Sequence, residues 1–249
     1  MKSTKNIEKN LPFSNTRITA KSVTNVENYM ICSRTIVINI GKNIATIGQT
    51  PEKPLLPLHS SIYDSVIIKR ADHVLMIKIE EENNLGGIVS ETGWIHYWQF
   101  LKDTLGEEKA KDTGFDPTTP LWKSAQIQVG KICANPEFFS GNNSLTDKTS
   151  EYEIKVNLWY APEKTDCSIH NSHDFIEIHA QILGIGRMQK FKKNDKETLY
   201  EDTIMGTGYT TPIPFCSIED NGQFLYPWHQ YYSDTDCIWL AIEFHKVQP

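Results

Sequence analysis

Three histidines and two carboxylates crowd into the stretch His170-Asn171-Ser172-His173-Asp174-Phe175-Ile176-Glu177-Ile178-His179-Ala180-Gln181. Side chains in a strand alternate between faces. A strand from His173 to Gln181 therefore puts His173, Phe175, Glu177, His179 and Gln181 in one row and Asp174, Ile176, Ile178 and Ala180 in the other. Imidazole and carboxylate together are the ligand set for Zn, Fe, Mn or Ni. The bland alternative is an exposed strand whose polar face happens to hold two histidines. His170, just upstream, adds a third imidazole and weighs against it.

The segment resembles the first motif of the cupin superfamily, small β-barrels whose metal is held by histidines and a glutamate. His173, three residues, Glu177, six residues and Gly184 fit that motif's spacing. Asn171 stands where the motif has its first His, with His170 one step further out. A bulge in the strand would bring His170 round. The stretch from Tyr226 to Phe244 resembles the second motif, and Gly206-Thr207-Gly208 resembles its turn. Thr211 takes the place of the usual His, so residues 211–226 read as an inserted loop and His229 as the displaced ligand. The resemblance spans roughly residues 153–245.

It implies a mainly β chain with a cupin-type jelly-roll barrel in the C-terminal half. It also implies one divalent transition metal on His170, His173, Glu177 and His229, with Fe(II) ahead of Mn, Ni or Zn. His179 and Tyr231 are the candidates for catalytic roles. The function implied is a metal-dependent cupin enzyme, first a mononuclear non-haem Fe(II) oxygenase acting on a small metabolite. The alternatives are a metal-dependent isomerase or epimerase using Glu177, His179 or a Tyr for proton transfer, and a non-catalytic small-molecule-binding cupin.

The composition is globular: 39% hydrophobic and 22% charged over 249 residues. A net charge of -6 offers no basic footprint for nucleic acid or an anionic membrane. Lys190 to Lys193 is a short basic run diluted by Asp195 and Glu197, and reads as a solvated turn. Cys32, Cys133, Cys167, Cys216 and Cys237 are odd in number and form no CxxC pair, which argues for free thiols. With no apolar run behind Met1 to Asn6 and no stretch of about 20 apolar residues, the expected setting is cytoplasmic. No nucleophile elbow, phosphate loop or dinucleotide fingerprint occurs, and Gly184-x-Gly186 lacks the later glycine.

Elements must position these residues. Residues 1–28 read as a polar arm, Ile36 to Ile40 and Ile44 to Ile47 as strands, and 65–68 with 73–79 as a hairpin turning near Arg70-Ala71-Asp72. Trp94, Trp98, Leu101 and Leu105 at helical spacing after Thr92 mark one helix. Ala125 to Ile132 and Glu153 to Tyr160 alternate as strands, with a polar loop at 135–150 between them. Pro51-Glu52-Lys53, five residues, His59 echoes Pro162-Glu163-Lys164, five residues, His170. The echo makes the N-terminal half a candidate degenerate second cupin, a bicupin with the helix between its halves. Ile62 and Val66 stand where the second copy has His173 and Glu177. The expected division is 1–120, a β-rich region with one helix, and 121–249, the barrel with the site. The row Ile176, Ile178, Ala180, Ile182 needs cover, from the N-terminal half or from a second subunit in a homodimer. Tyr160, Tyr209, Trp228, Tyr231 and Trp239 are candidates to line a pocket over the metal.

Overall fold

The structure is a computed structural model that describes residues 5–81, 83–135, 138–139, 149–214, 216–218 and 223–247. Most of the loop expected at 135–150, and part of the insertion expected at 211–226, lie outside the described residues. The chain is mainly β, built from three larger antiparallel sheets and a two-stranded ribbon.

The first sheet uses β1 (Ile7–Asn10), β2 (Ile18–Ile31), β3 (Thr35–Asn39), β4 (Ala45–Gly48), β5 (Lys53–Leu55), β6 (Ser60–Tyr63) and β7 (Val66–Ile79). Two expectations fail here. Most of the supposed polar arm is strand, and the supposed hairpin is the single 14-residue β7. β2 and β7 pair along their whole length, so Arg70 and Ala71 sit in a ladder with Glu27 and Val26. The polar letters misled because burial does not alternate simply along β2, although its register with β7 is unbroken. Asn25 and Asn28 take left-handed conformations and interrupt the simple alternation. β3 and β4 share the other edge of β7, which curls this sheet over a core of its own that includes Val23, Val37, Ile47, Ile68 and Val74.

After residue 79 the chain joins the second unit. β8 (Ile95–His96) leads into α1 (Tyr97–Leu105) and α2 (Glu107–Asp112). Two short helices thus replace the one expected. Gly106, at a positive φ that side chains resist, ends α1 and starts α2. Trp94 precedes the helix, and no side chain caps it.

β9 (Trp122–Lys123), β10 (Ile127–Ala134) and β11 (Ser150–Ala161) follow, then β12 (Thr165–Asp166) and β13 (Ile176–Leu183). β14 (Ile185–Phe191), β15 (Leu199–Gly206), β16 (Ser217–Ile218), β17 (Phe224–Leu225), β18 (Trp228–Ser233) and β19 (Cys237–Lys246) complete the chain. The second sheet runs β13-β19-β11-β9-β8, with β10 also on β11; the third runs β12-β18-β14-β15. They face each other across Trp239, Cys237 and Ala161 from one side and Tyr231, Met188, Met205 and Cys167 from the other, with Leu101 of α1 added.

The central strand uses both of its faces. Ile176, Ile178, Ala180 and Ile182 are fully buried in one core with Leu240, Ile242 and Phe244 of β19. Ile18, Ala20, Ile36, Ile38, Leu75 and Ile77 of the first sheet close that core. The N-terminal half is therefore the cover that the apolar row requires. Each such side chain contributes about 1.5–3 kcal/mol by leaving water.

His73 of β7 sits at this junction, 7% exposed, with its Nε2 2.6 Å from the Ser22 hydroxyl. Burial lowers its pKa to about 4, from an ordinary value of 6.5. The unfolded chain thus binds this proton first as pH falls. The contribution is whole above about pH 6.5 and is lost as pH falls through about 4, for roughly 3 kcal/mol at most. Urea unfolding at pH 7.5 and pH 4.5 should show His73→Gln losing less stability on acidification than the parent. Equal losses would count against a neutral buried His73.

Candidate metal centre

Two chain segments bring the imidazoles together. Cys167 donates its N–H to the Tyr231 carbonyl, and His170 and His229 exchange backbone hydrogen bonds of 2.9 and 2.8 Å as an isolated antiparallel bridge. His170 is thus carried by the margin of the third sheet, directly opposite His229. The chain then crosses to the second sheet and enters β13 only at Ile176. The expected bulge in the central strand is not what delivers His170, and His173 stands before the strand, in the crossing. The sequence could not show this, because pairing with β18 is a contact across roughly sixty residues.

The result is a tight cluster. His170 Nε2 lies 3.0 Å from His173 Nε2, which lies 3.1 Å from His229 Nε2. The far nitrogens are fixed: His170 Nδ1 is 3.0 Å from the Ser168 carbonyl and His229 Nδ1 is 2.8 Å from the Pro227 carbonyl. A carbonyl only accepts, so both Nδ1 atoms carry the proton and both Nε2 atoms of the neutral rings present lone pairs. Two lone pairs converge on the third ring, which has at most one N–H to offer there. A cation resolves that conflict, and backbone carbonyls on the outer nitrogens are the usual support of ligating histidines.

Electrostatics keep these rings neutral. Burial holds His173 at about 4, with Glu177 partly opposing. Burial, followed by the nearby His170, pushes His229 well below its ordinary value, and burial lowers His170 too.

Glu177, 6% exposed, places Oε1 3.1 Å from His179 Nε2 and Oε2 3.9 Å from His173 Nε2. Burial pushes its carboxyl up, but the charge and hydrogen bond of His179 pull harder, so the group lies well below the usual range and is ionised. His170, His173 and His229 offer ligand atoms within 4.8 Å of one another, a donor set that fits a divalent transition metal, and Glu177 stands beside them through its 3.9 Å approach to His173.

Deeper in the barrel stand the two candidates for proton transfer. His179 touches Glu177, and Tyr231 donates its hydroxyl to Gln181 Oε1 while stacking on Trp239 at 3.8 Å. Gly186 makes that placement fit, because a Cβ there would run into the Tyr231 hydroxyl. Of the other candidates for pocket lining, Tyr160 belongs to the core on the opposite face and Tyr209 is 42% exposed.

The sequence reading passed over Tyr226. Its hydroxyl accepts from the Glu177 N–H at 3.0 Å and donates to the Phe175 carbonyl at 2.7 Å, and its ring packs on His173 at 4.7 Å. It clamps the crossing against the strand. Thr211 is a backbone clip: its Oγ1 accepts from the His179 N–H at 3.0 Å. The Gly206-Thr207-Gly208 turn docks the N-terminal half, through the Ser60 hydroxyl on the Gly208 carbonyl at 2.7 Å.

No protein-family model matches the sequence, and no curated protein matches it. Solved structures similar to the chain include an S161A mutant of Bacillus subtilis oxalate decarboxylase. That alignment has 10% identity and a TM-score of 0.28, and covers 100% of this chain and 75% of that one. A cupin 2 conserved barrel domain protein from Leptotrichia buccalis is 8% identical at a TM-score of 0.29, covering 98% and 91%. Oxalate oxidase in complex with the substrate analogue glycolate is 16% identical at 0.26, covering 39% and 43%. The alignments are too loose to add an argument to the geometry.

Removing the His229 imidazole should cut metal affinity by about 100-fold or more. The apolar row Ile238, Leu240, Ile242 and Phe244 stays intact, so the fold should survive. Thr211→Ala should change affinity far less. Elemental analysis and circular dichroism of the two variants check the ranking; the reverse order would remove His229 from the centre.

Proposed function

We propose that the chain is a metal-dependent cupin enzyme, and specifically a mononuclear non-haem Fe(II) oxygenase acting on a small metabolite. One observation carries the reading: the Nε2 lone pairs of His170 and His229 converge on His173 beside an ionised Glu177. Three neutral imidazoles and one carboxylate leave a net positive centre with open positions. When bound, a ferrous ion supplies redox and Lewis-acid chemistry at those positions. The protein's own part is to fix both outer nitrogens on carbonyls, hold Glu177 charged, and keep water from the inner face with Tyr226, Tyr231 and Trp239.

In this reading residues 121–249 carry the chemistry and residues 1–120 cover the back of the sheet that holds it. Five free cysteines suit a reducing, cytoplasmic setting.

A second reading is favoured by the 3.1 Å contact of His179 with Glu177. That pair can take a proton from one carbon of a substrate and return it to another, the work of an isomerase or epimerase.

Anaerobic loading with Fe(II), followed by nitric oxide, separates the readings. An oxygenase centre should retain close to one iron per chain, give the electron paramagnetic resonance signal of a ferrous nitrosyl, and consume oxygen with metabolite fractions. Retained metal with deuterium exchange into a metabolite but no oxygen uptake would select the isomerase. A protein that keeps no divalent metal sinks both.

A further inference from the structure

The inner face of the second sheet continues beyond the histidines. Register aligns Glu177 with Glu243, His179 with Ala241 and Gln181 with Trp239. Across β19, Ala241 lies opposite Asn157 and Trp239 opposite Trp159, and Trp159 pairs with Lys123 of β9. Directly opposed residues of antiparallel strands share a face. Lys123 and Asn157 therefore look into the same interior as Glu177 and His179.

Both are buried donors with unspent capacity. Lys123 is 8% exposed, and among the described residues its ammonium has no hydrogen bond or ion pair. It lies 4.0 Å from the ring centre of Phe100 on α1 and 5.2 Å from that of Trp159. Asn157 is 0% exposed; its Oδ1 accepts from Gln126 Nε2 at 3.4 Å, while its Nδ2 has no partner among the described residues. Buried donors are seldom left unmade, least of all a charged one.

Glu243, on the strand between, and Glu177 act on the Lys123 ammonium through their charge, but among the described residues neither hydrogen-bonds it. Glu243 Oε2 receives Gln126 Nε2 at 2.8 Å and His245 Nε2 at 2.7 Å. The floor between His179 and Asn157 is the methyl group of Ala241, across two interstrand spacings, or about 10 Å.

We propose that Lys123 and Asn157 form the anchor for a carboxylate, so that the substrate of the candidate metal centre is a small organic acid. Its charged end sits on the Lys123 ammonium and the Asn157 amide, between the faces of Phe100 and Trp159. The rest of the molecule reaches across Ala241 towards His179 and Glu177. The word substrate rests on the metal-centre reading; the anchor itself does not.

Titration of the purified protein with acetate, succinate and benzoate, followed by tryptophan fluorescence, tests it, because Trp159 lies beside the ammonium. At least one carboxylate should saturate, and its uncharged amide counterpart should not. Lys123→Met and the isosteric Asn157→Asp should each weaken that carboxylate 10-fold or more with bound metal unchanged. Saturation as tight in both variants as in the parent overturns the anchor and places the anion elsewhere. So does failure of all three carboxylates to saturate, or equal binding of the amide. The parent's carboxylate-to-amide comparison decides the matter even if neither variant folds. Elemental analysis of the same samples keeps the two ideas apart. Carboxylate binding by a protein that takes up no metal sinks the metal centre and leaves the anchor, whereas metal uptake without carboxylate binding does the reverse.

Discussion

The structure depends on β13 being buried on both faces. A strand with one wet face needs only alternation; this one carries four apolar side chains into a core shared with another sheet and three polar ones into the barrel. Burial of Ile176, Ile178, Ala180 and Ile182 fixes the register, since a one-residue slip would send Glu177, His179 and Gln181 into that core. The positions of the polar side chains are therefore enforced from behind. The first sheet needs no ligand of its own to matter to the site.

Burying polar groups inside a barrel is costly unless each finds a partner. Gln181 receives the Tyr231 hydroxyl, Glu177 meets His179, and Glu243 receives Gln126 and His245. Among the described residues the Asn157 amide nitrogen has no partner, as Gln230 Oε1 and Ser233 Oγ of β18 have none, while at the other end the Nε2 atoms of His170, His173 and His229 converge.

The echoed histidines share one local contact, which His229 also makes with Pro227. His59 places Nδ1 2.8 Å from the Pro57 carbonyl, the same two-residue-back contact that His170 makes with Ser168. Among the described residues His59 meets no other imidazole, and Ile62 and Val66, opposite His173 and Glu177 in the alignment, are apolar. Ile62 instead packs towards Gly208, where β6 docks on the second unit. The N-terminal half makes the same local contact and uses this surface for assembly.

By itself the sequence determined the local facts. Period-two alternation set the two faces of β13, the spacing of His173, Glu177 and Gly184 marked the motif, and the alternating residues up to Phe244 marked the last strand. These were legible because each depends on neighbours within a few residues. Only the tertiary structure decided the rest. It brought His170 to the site through a bridge with His229, made one 14-residue strand of the supposed hairpin, and used Tyr226 as a clamp. It also set Lys123 and Asn157 beside Glu177's row. Those outcomes rest on pairings between strands far apart in the chain, whose register no local pattern encodes, and on left-handed asparagines that break the alternation from which a strand is read.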